Sequence, residues 1–313
     1  MKIFIPILIF VIALVLLLFV FGYFCFHRAC RRSPRRDPAA LGRIKTEKYG
    51  AHEQRMKKLI SEYEKEKKES VRVTSHDSLS LYASYIEAPA RTDKLIIAFH
   101  GYRSSATAEF SPVYRALLDA GYSLLLVDQR SHGRSEGKYI GFGALERYDV
   151  RTWCDYAQKR FGNNVKIYLY GISMGAATVT MASSLGLAPN VRAIVADCGF
   201  TSPFDIIKNT LRYKNKIFPY PTIFFMNFFS RVLAGYDFKC VSSPCEIAKS
   251  SLPLLIIHGQ KDRYVPCAMS QVIYNARQDS TELVLFEEAT HARSHLSYTE
   301  KYISALRVFL ERN

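Results

Sequence analysis

The alternation of apolar runs with helical or loop segments after residue 70 constrains the fold of this 313-residue chain most strongly. Each run is dominated by Val, Ile and Leu, and the segments between the runs have helical spacing of apolar residues or lack periodicity. Continuous apolar strands that alternate with helices predict an α/β fold with a mainly parallel sheet, covered by helices on both faces. The runs are Leu95–Phe99, Leu124–Val127, Val165–Tyr170, Val191–Ala196, Leu254–Ile257 and Leu283–Phe286.

Two further β-prone runs, Val71–Thr74 and Leu79–Ile86, precede this pattern. The polar triplet His76-Asp77-Ser78 between them is typical of a turn, so the pair is predicted to form a hairpin. The hairpin would give the sheet an antiparallel edge. With 49% hydrophobic residues the chain is too apolar for a disordered polymer, and its length suits one large α/β domain or two modest ones.

A glycine-flanked serine follows the run that ends at Tyr170. The sequence Gly171-Ile172-Ser173-Met174-Gly175 leads into a stretch with helical spacing. A G-x-S-x-G motif between a strand and a helix predicts a tight, strained turn that exposes the serine hydroxyl as a nucleophile. The same turn aims the Met174 amide at the position where negative charge develops. A purely structural turn is the alternative interpretation, and the strand-to-helix context favours the nucleophile.

A serine nucleophile needs a base and a group that orients the base. Asp262 follows the strand Leu254–Ile257, and His291 follows the last strand, so both are expected at the edge of the sheet where Ser173 lies. Two alternatives stay open, with Asp197 as the acid or His295 as the base. Asp262 and His291 are preferred because Asp197 would leave Asp262 without a role and His295 is expected within the following helix.

A second donor for a developing oxyanion is predicted after the strand Leu95–Phe99. Gly101 permits the chain to turn so that the backbone amide of Tyr102 faces that of Met174. An ordinary strand-to-loop turn is the alternative. His258, which ends another strand, is expected to brace its own loop. The reaction predicted for these groups is acyl transfer, in which the serine attacks a carbonyl carbon. It requires no metal ion and no organic cofactor.

These residues together resemble the α/β-hydrolase superfamily, in particular the branch with monoglyceride lipases, serine aminopeptidases and BEM46-like membrane-anchored hydrolases. The resemblance covers Val71 to the carboxyl terminus, and it implies an eight-stranded sheet with a lid insertion and a triad of Ser173, Asp262 and His291. Its segment Asp128–Ser135 is similar to the family's D-x-R-x-x-G-x-S loop, which braces the site without being catalytic. The other segments that carry the resemblance are His100-Gly101, the turn around Ser173, His258-Gly259 with Asp262, and His291.

The segment Ile3–Phe26 contains 24 residues without a charge. At about 1.5 Å per residue a helix of this length crosses a hydrocarbon core of roughly 30 Å. It is predicted to be a transmembrane anchor that is retained. A cleaved signal peptide is the alternative, but the run exceeds the usual apolar region of about 7 to 15 residues.

The charges that flank this segment predict its orientation. Lys2 stands on one side, whereas Arg28, Arg31, Arg32, Arg35 and Arg36 follow on the other. The positive-inside rule places the arginine-rich side, and the domain after it, in the cytoplasm. Residues 1–70 hold 15 basic and 7 acidic residues, a net charge of +8 out of +15 for the chain, so the excess charge marks membrane topology and does not predict nucleic-acid binding.

The cysteines agree with a reducing compartment, because they are an odd set without paired spacing. They also show no zinc-site spacing. They are Cys154, Cys198, Cys240, Cys245 and Cys267.

Between the anchor and the first strand, residues 46–69 predict an amphipathic helix, with Met56, Leu59, Ile60 and Tyr63 on one face. Its charges nearly balance, which favours packing on the domain over binding to the membrane surface. Residues 201–250 form the predicted lid insertion, and its aromatic segment 217–229 is too short and too rich in proline to span a bilayer. Four basic residues are hypothesised to face an anionic headgroup or substrate; they are Lys208, Arg212, Lys214 and Lys216.

The sequence therefore predicts three parts: a signal anchor at 1–27, a basic segment with an amphipathic helix at 28–70, and a hydrolase domain at 71–313. The predicted protein is a single-pass cell-membrane protein, held through residues 3–26, with the catalytic domain in the cytoplasm. The predicted activity is hydrolysis of carboxylic esters or thioesters. The alternatives are a serine peptidase or aminopeptidase and a non-catalytic membrane-anchored binding protein. The sequence predicts neither the chain length of the substrate nor the oligomeric state.

Overall fold

The computed structural model describes residues 4–32 and 46–313, with the side chains of 46–48 left out. Arg35 and Arg36, which entered the prediction of topology, lie outside the described residues. The elements are arranged as a central sheet with helices on both faces, preceded by one long apolar helix.

The sheet has eight strands in the order β1-β2-β4-β3-β5-β6-β7-β8. β1 and β2 form an antiparallel hairpin, β2 is antiparallel to β4, and all other neighbours are parallel, which confirms the predicted fold class. The hairpin lies at one edge, as predicted, and Ser78 turns its corner with a φ of 67°. The strands are β1 Glu69–Thr74, β2 Ser80–Ile86, β3 Lys94–Phe99, β4 Ser123–Asp128, β5 Lys166–Ile172, β6 Val191–Asp197, β7 Leu254–Gly259 and β8 Thr281–Phe286.

Twelve α-helices and three short turns of other helix types accompany the sheet in the described part of the chain. The helices are α1 Phe4–Cys30, α2 Glu53–Lys65, α3 Ala106–Phe110, α4 Tyr114–Asp119, α5 Glu146–Phe161, α6 Met174–Ala182, α7 Pro203–Asn209, α8 Pro219–Phe229, α9 Ser243–Lys249, α10 Cys267–Asn275, α11 Ser294–Ser297 and α12 Thr299–Arg312. The 3-10 turn is Thr46–His52, and the π-helical turns are Thr210–Lys214 and Ser230–Ala234.

The two faces of the sheet bury separate apolar clusters because successive side chains of a strand point in opposite directions. In β3, Ile96 and Ala98 join the cluster beneath α2, α3, α4 and α12. Leu95, Ile97 and Phe99 of the same strand join the cluster beneath α5, α6 and α10. Both faces are therefore covered, which explains why the strands read as continuous apolar runs.

The predicted amphipathic helix is shorter than the pattern indicated. Its α-helical part is α2, which the 3-10 turn precedes. Met56, Ile60 and Tyr63 are buried, and Tyr63 packs edge-on against Tyr114 of α4 at 5.2 Å. The helix packs on the domain, as its balanced charges indicated.

Helix α1 extends past the predicted boundary at residue 27. An 18-residue window of α1 contains no buried residue, and by length and composition this helix can cross a membrane, a property that signal sequences share. Gly22, Phe26 and Cys30, by contrast, are buried against the domain. The last two turns of α1 are therefore part of the folded domain. After the helix, Arg31 continues this contact as an antiparallel bridge with Tyr139.

The predicted lid segment contains α7, α8 and the π-helical turns, and it packs on α1. The ring of Phe19 lies 4.7 Å from that of Phe229, and buried lid residues such as Met226 share one cluster with Phe26. Of the four basic lid residues, Lys208 and Lys214 lie over the rings of lid Tyr220 and of Tyr264. Their proposed contact with an anionic group stays a prediction.

Candidate active site

Ser173 lies at the tight turn that joins β5 to α6. Its backbone has a φ of 55° and a ψ of −112°, a strained conformation for a residue with a side chain. A Cβ on Gly171 would lie 2.2 Å from backbone atoms of Gly175, and a Cβ on Gly175 would lie 1.9 Å from the carbonyl oxygen of Phe99. Only glycine fits at either position, because α6 starts in contact with β3 and β5. The predicted strand-turn-helix context of the serine is present.

The structure brings the three predicted side chains into one hydrogen-bonded chain. Ser173 Oγ lies 2.9 Å from Nε2 of His291, which sits on the loop after β8. Nδ1 of the same imidazole lies 2.6 Å from Oδ2 of Asp262, which follows β7. The three residues come from the carboxyl ends of three strands, where parallel sheets gather ligand-binding groups.

The Asp262 carboxylate is fully buried and held at both oxygens. Oδ1 accepts hydrogen bonds from the backbone amides of Tyr264 and Val265, at 2.8 and 2.9 Å. Burial by itself raises the pKa of Asp262, but hydrogen bonds from His258 and His291 outweigh that effect and lower the pKa to about 2. The carboxyl is therefore ionised at any physiological pH, and it can orient the imidazole.

His258 has a larger role than the predicted brace of its own loop. Its Nε2 lies 2.9 Å from the carbonyl oxygen of Val265 and 3.3 Å from Oδ2 of Asp262. Its Nδ1 lies 2.6 Å from Oγ of Ser270 in α10. The ring thus ties the loop after β7 to α10 and also contacts the carboxylate that orients His291.

The two alternatives from the sequence lie elsewhere. Asp197 Oδ2 accepts a hydrogen bond from the hydroxyl of Tyr302 at 2.7 Å and makes no hydrogen bond to His291. Burial raises the pKa of Asp197 to about 6. His295 is buried in α11, where its ring packs edge-on against Tyr302, and burial lowers its pKa to about 3. The geometry thus favours Asp262 and His291.

The loop after β3 approaches Ser173 closely. A Cβ on Gly101 would lie 3.2 Å from Cβ of Ser173, so a larger residue would crowd the nucleophile. The Gly101 amide is already used, because it donates to Oε2 of Glu109 at 2.6 Å. The amides of Tyr102 and Met174, the two predicted oxyanion donors, have no acceptor among the described residues.

Two buried histidines hold this loop against the loop after β4. The amide of Gln129 donates to Nε2 of His100 at 3.2 Å, and the amide of Arg103 donates to Nε2 of His132 at 2.9 Å. Burial and the neighbouring His100 lower the pKa of His132 to about 3, so its ring is neutral. Nε2 can then accept, while Nδ1–H donates to the carbonyl oxygen of Arg130 at 2.9 Å.

The Asp128–Ser135 loop is itself internally braced. Gly133 has a φ of 47°, and a Cβ there would lie 2.6 Å from Cγ of Asp128. The Asp128 carboxylate also accepts a hydrogen bond from Nε of Arg134 at 2.9 Å. Arg130 makes paired hydrogen bonds with both Asp149 and Asp77, at 2.6 to 3.0 Å. These contacts hold the loop in place, the role that the sequence resemblance implies for it.

Two groups of side chains have donor atoms spaced for a metal ion within the described residues. The first contains Cys198 with Asp262 and His291, whose facing atoms already bond to each other. The second, around His76, contains two carboxylates that the Arg130 guanidinium neutralises. In each group the donors already have partners in the protein.

A cavity of about 540 Å³, called here the α1–lid cavity, lies beside the site. Tyr102 and Tyr264 contribute to its lining, and the Tyr264 ring lies 5.0 Å from the imidazole of His291. The cavity is therefore adjacent to the triad through Tyr264, although none of the three triad residues is among its lining residues. Its full lining is Phe21, Phe24, Cys25, Arg28, Ala29, Tyr102, Arg103, Phe142, Ile207, Thr210, Leu211, Lys214, Asn215, Ile217, Met226 and Tyr264.

Several site residues were not predicted from the sequence. Glu109, which holds the Gly101 amide, belongs to no motif, and only the fold brings its short helix α3 to the loop. Tyr264 could have been suspected, since it follows Asp262 by two residues. No sequence pattern indicates that residues of α1 line a cavity, because their apolar spacing is the same as that of any membrane helix.

Comparison with known proteins agrees with this fold. The family model described as serine aminopeptidase, S33, matches residues 90–223, which include the turn at Ser173. The Pyrococcus furiosus esterase Pf2001 is similar in structure, with a TM-score of 0.65 and 26% identity, over 82% of this chain and 93% of the esterase.

Curated relatives are about a quarter identical to this chain over the aligned residues. The uncharacterized protein YqkD of Bacillus subtilis (strain 168) is 26% identical, over 72% of this chain and 74% of its own length. The lysophosphatidylserine lipase ABHD12 of Rattus norvegicus is also 26% identical, over 70% of this chain. The match spans 54% of that lipase, about half its length.

Gly175→Ala tests the close approach at the nucleophile turn. Because the new methyl group would overlap the Phe99 carbonyl oxygen, we expect a loss of stability of about 3 kcal/mol or more, or no folded protein. Chemical denaturation of the purified chain measures it. Gly186→Ala is the matched control, since it meets no atom within 4 Å and bears only the cost of a positive φ, about 1–2 kcal/mol. Equal losses in the two variants would contradict the prediction.

Asp197→Asn tests the buried carboxyl. Because the pKa of Asp197 is raised to about 6, the folded protein holds this proton more tightly than the unfolded chain does. We expect the wild type to lose on the order of 3 kcal/mol of unfolding free energy relative to the variant as the pH rises from about 4 to about 6, with no further change above. Urea unfolding at several pH values measures this. Asp279→Asn, at an exposed position, is the control; parallel curves for wild type and Asp197→Asn would refute the assignment.

Proposed function

Since this chain belongs to the α/β-hydrolase superfamily, we propose that it is a membrane-anchored serine hydrolase that cleaves carboxylic esters or thioesters. The observation that carries the proposal is the continuous hydrogen-bonded chain from Ser173 through His291 to Asp262. Hydrolases of this fold differ in substrate, so the reaction is argued from the site itself.

In the first step the Ser173 hydroxyl attacks the carbonyl carbon of the substrate while Nε2 of His291 takes its proton. The Asp262 carboxylate, held by two backbone amides, fixes the proton on Nδ1 and stabilises the imidazolium that forms. The amides of Tyr102 and Met174 receive the negative charge on the carbonyl oxygen. The leaving group departs with the proton from His291, which gives an acyl-enzyme.

In the second step a water molecule replaces the leaving group. His291 takes a proton from this water as its oxygen attacks the acyl carbon, and then returns the proton to Ser173 as the acid departs. The strained backbone at Ser173 supports both steps, because it holds the hydroxyl above the turn where both the substrate and the water can reach it.

The α1–lid cavity favours an ester with an anionic group over an aminopeptidase substrate. No Asp or Glu is among its lining residues, whereas an aminopeptidase needs a carboxylate to hold the α-ammonium group of a peptide. Arg28, Arg103 and Lys214 line the cavity, and none of them has a carboxylate partner within the described chain. Esterase and lipase are also the printed activities of two similar proteins, so an acyl ester such as a lysophospholipid is the proposed substrate.

A non-catalytic binding protein is the second candidate function. Such a protein has no use for a serine in a strained backbone conformation, hydrogen-bonded to a base whose partner is an ionised carboxylate. That conformation costs on the order of 1–3 kcal/mol and persists only where the surrounding structure enforces it. Its occurrence at the serine that is hydrogen-bonded to His291 supports the catalytic function.

The proposed membrane attachment runs through α1. The part of the helix before its first buried residue, Phe4 to Phe21, would span about 27 Å. Its retention is supported by the contacts of its last residues, because cleavage would remove Cys30, whose carbonyl oxygen accepts from the Ile140 amide at 2.6 Å. By the positive-inside rule, the arginines after the span support a cytoplasmic position for the catalytic domain.

Ser173→Ala tests the proposed nucleophile. We expect wild type to be labelled by a fluorophosphonate probe and to hydrolyse short acyl esters, and we expect the variant to lose labelling and on the order of 10⁴- to 10⁶-fold in turnover. Its unfolding free energy should change little. Ser183→Ala is the matched control, since this buried hydroxyl at the other end of α6 has no hydrogen-bond partner among the described residues. Full turnover by Ser173→Ala, or no labelling of the wild type, would exclude the serine mechanism.

The double variant Arg28→Gln with Lys214→Gln tests the anionic headgroup. Because the two cations line the cavity without a carboxylate partner, we expect KM for an anionic acyl ester to rise about tenfold, as two partly exposed charge contacts are lost. KM for a neutral ester of the same chain length should not change. Lys58→Gln with Arg307→Gln, at exposed positions far from the cavity, is the control. An equal rise for the neutral ester would rule out charge recognition.

A further inference from the structure

We propose that α1 is a component of the substrate site, with the α1–lid cavity as the binding site for the acyl chain of the ester. The inference rests on the proposed hydrolase function and extends it, since it assigns to a membrane anchor a direct role in chain-length selection. It follows from where α1 lies, what α1 packs against, and which loop its last carbonyl groups hold.

One face of α1 forms a wall of the cavity. Its five lining residues, Phe21, Phe24, Cys25, Arg28 and Ala29, are spaced at i, i+3, i+4, i+7 and i+8, which places them on a single stripe of the helix. The stripe is apolar toward the span and ends in a cation. An acyl chain with a polar head at one end has the matching distribution of polarity.

Lid residues form the opposite wall, of which four are apolar and three, Thr210, Lys214 and Asn215, are polar. Ile207, Leu211, Ile217 and Met226 line the cavity there. The volume of about 540 Å³ lies within the range of about 300–1,000 Å³ that is usual for small-molecule sites. Because apolar residues of both α1 and the lid line the cavity, burial of methylene groups against them would favour the longer acyl chains that the cavity can hold.

Close packing fixes the helix against the lid. A Cβ on Gly22 would lie 2.4 Å from Cβ of Phe225, so the two backbones approach as closely as a glycine allows. One turn earlier, the Phe19 ring contacts those of Phe225, Phe228 and Phe229 at 5.8, 5.7 and 4.7 Å. The wall that α1 contributes therefore has a defined position relative to the lid.

The carboxyl end of α1 also holds the loop of the proposed oxyanion donor. The last carbonyl groups of a helix have no partner within it. Here the Tyr102 hydroxyl donates to the carbonyl oxygen of Ala29 at 2.8 Å, and the Arg103 guanidinium donates to that of Arg28 at 2.5 Å. Tyr102 thus contacts both parts of the proposed site. Its side chain bonds to α1, and its backbone amide is the proposed donor to the reacting carbonyl group.

The test compares acyl esters of graded length on the full chain in detergent micelles or bilayer nanodiscs. In Cys25→Trp the indole would fill the cavity from the α1 side, so we expect kcat/KM for a twelve-carbon ester to fall about tenfold or more while that for a four-carbon ester stays within about twofold. Val20→Trp is the matched control, since Val20 is exposed and does not line the cavity. It should leave both esters unchanged.

Fluorophosphonate labelling separates this inference from the proposed function. If Cys25→Trp is labelled as fast as wild type and keeps the wild-type preference for chain length, the cavity is not the acyl site, although the serine hydrolase remains. If Cys25→Trp is not folded, Phe24→Ala decides, because this lining residue is 64% exposed and its truncation leaves the core intact. A raised KM for the long ester alone supports the inference, and an unchanged length series overturns it.

Discussion

The close approach of α6 to the carboxyl ends of β3 and β5 is the constraint on which the site depends. Gly171 and Gly175 leave no room for a methyl group, so the helix begins directly against the Phe99 carbonyl. This contact forces Ser173 to a φ of 55° and raises its hydroxyl above the sheet. His291 reaches that hydroxyl, and Asp262 reaches the imidazole of His291, because their strands end at the same edge.

Much of this arrangement could be predicted from the sequence because it depends on local patterns. The strands are buried on both faces and appear as apolar runs, and the glycines around Ser173 are required by sterics that a short motif records. The sequence favours Asp262 over Asp197, which would leave Asp262 without a role, and His291 over His295, which is expected within the following helix. The structure gives the preference a physical basis. Asp262 accepts hydrogen bonds from two backbone amides and from the His291 ring, whereas Asp197 accepts one from Tyr302.

What could not be predicted depends on contacts between distant segments. The sequence pattern ended the apolar span near residue 27, because Arg28 marks the end of a membrane segment by composition. In the fold, the buried side chains of Phe26 and Cys30 continue the helix into the domain, and their partners lie more than 100 residues away. Glu109 is similar: its carboxylate is one of many acidic groups until the fold sets it against the Gly101 amide. No sequence periodicity or motif predicts either contact.

The position of α1 relative to Ser173 defines a route by which a membrane lipid would enter the proposed site. With α1 in a bilayer as proposed, the exposed aromatic rings of α8, such as Phe224 and Phe228, lie beside the same helix and suit the membrane interface. Arg28 then stands where headgroups are, and the apolar stripe of α1 leads from the hydrocarbon layer to the cavity. A lipid ester could reach Ser173 along the helix without exposing its acyl chain to water. In that arrangement the same burial of apolar surface that holds the protein to the membrane also selects its substrate, because the two processes use one helix.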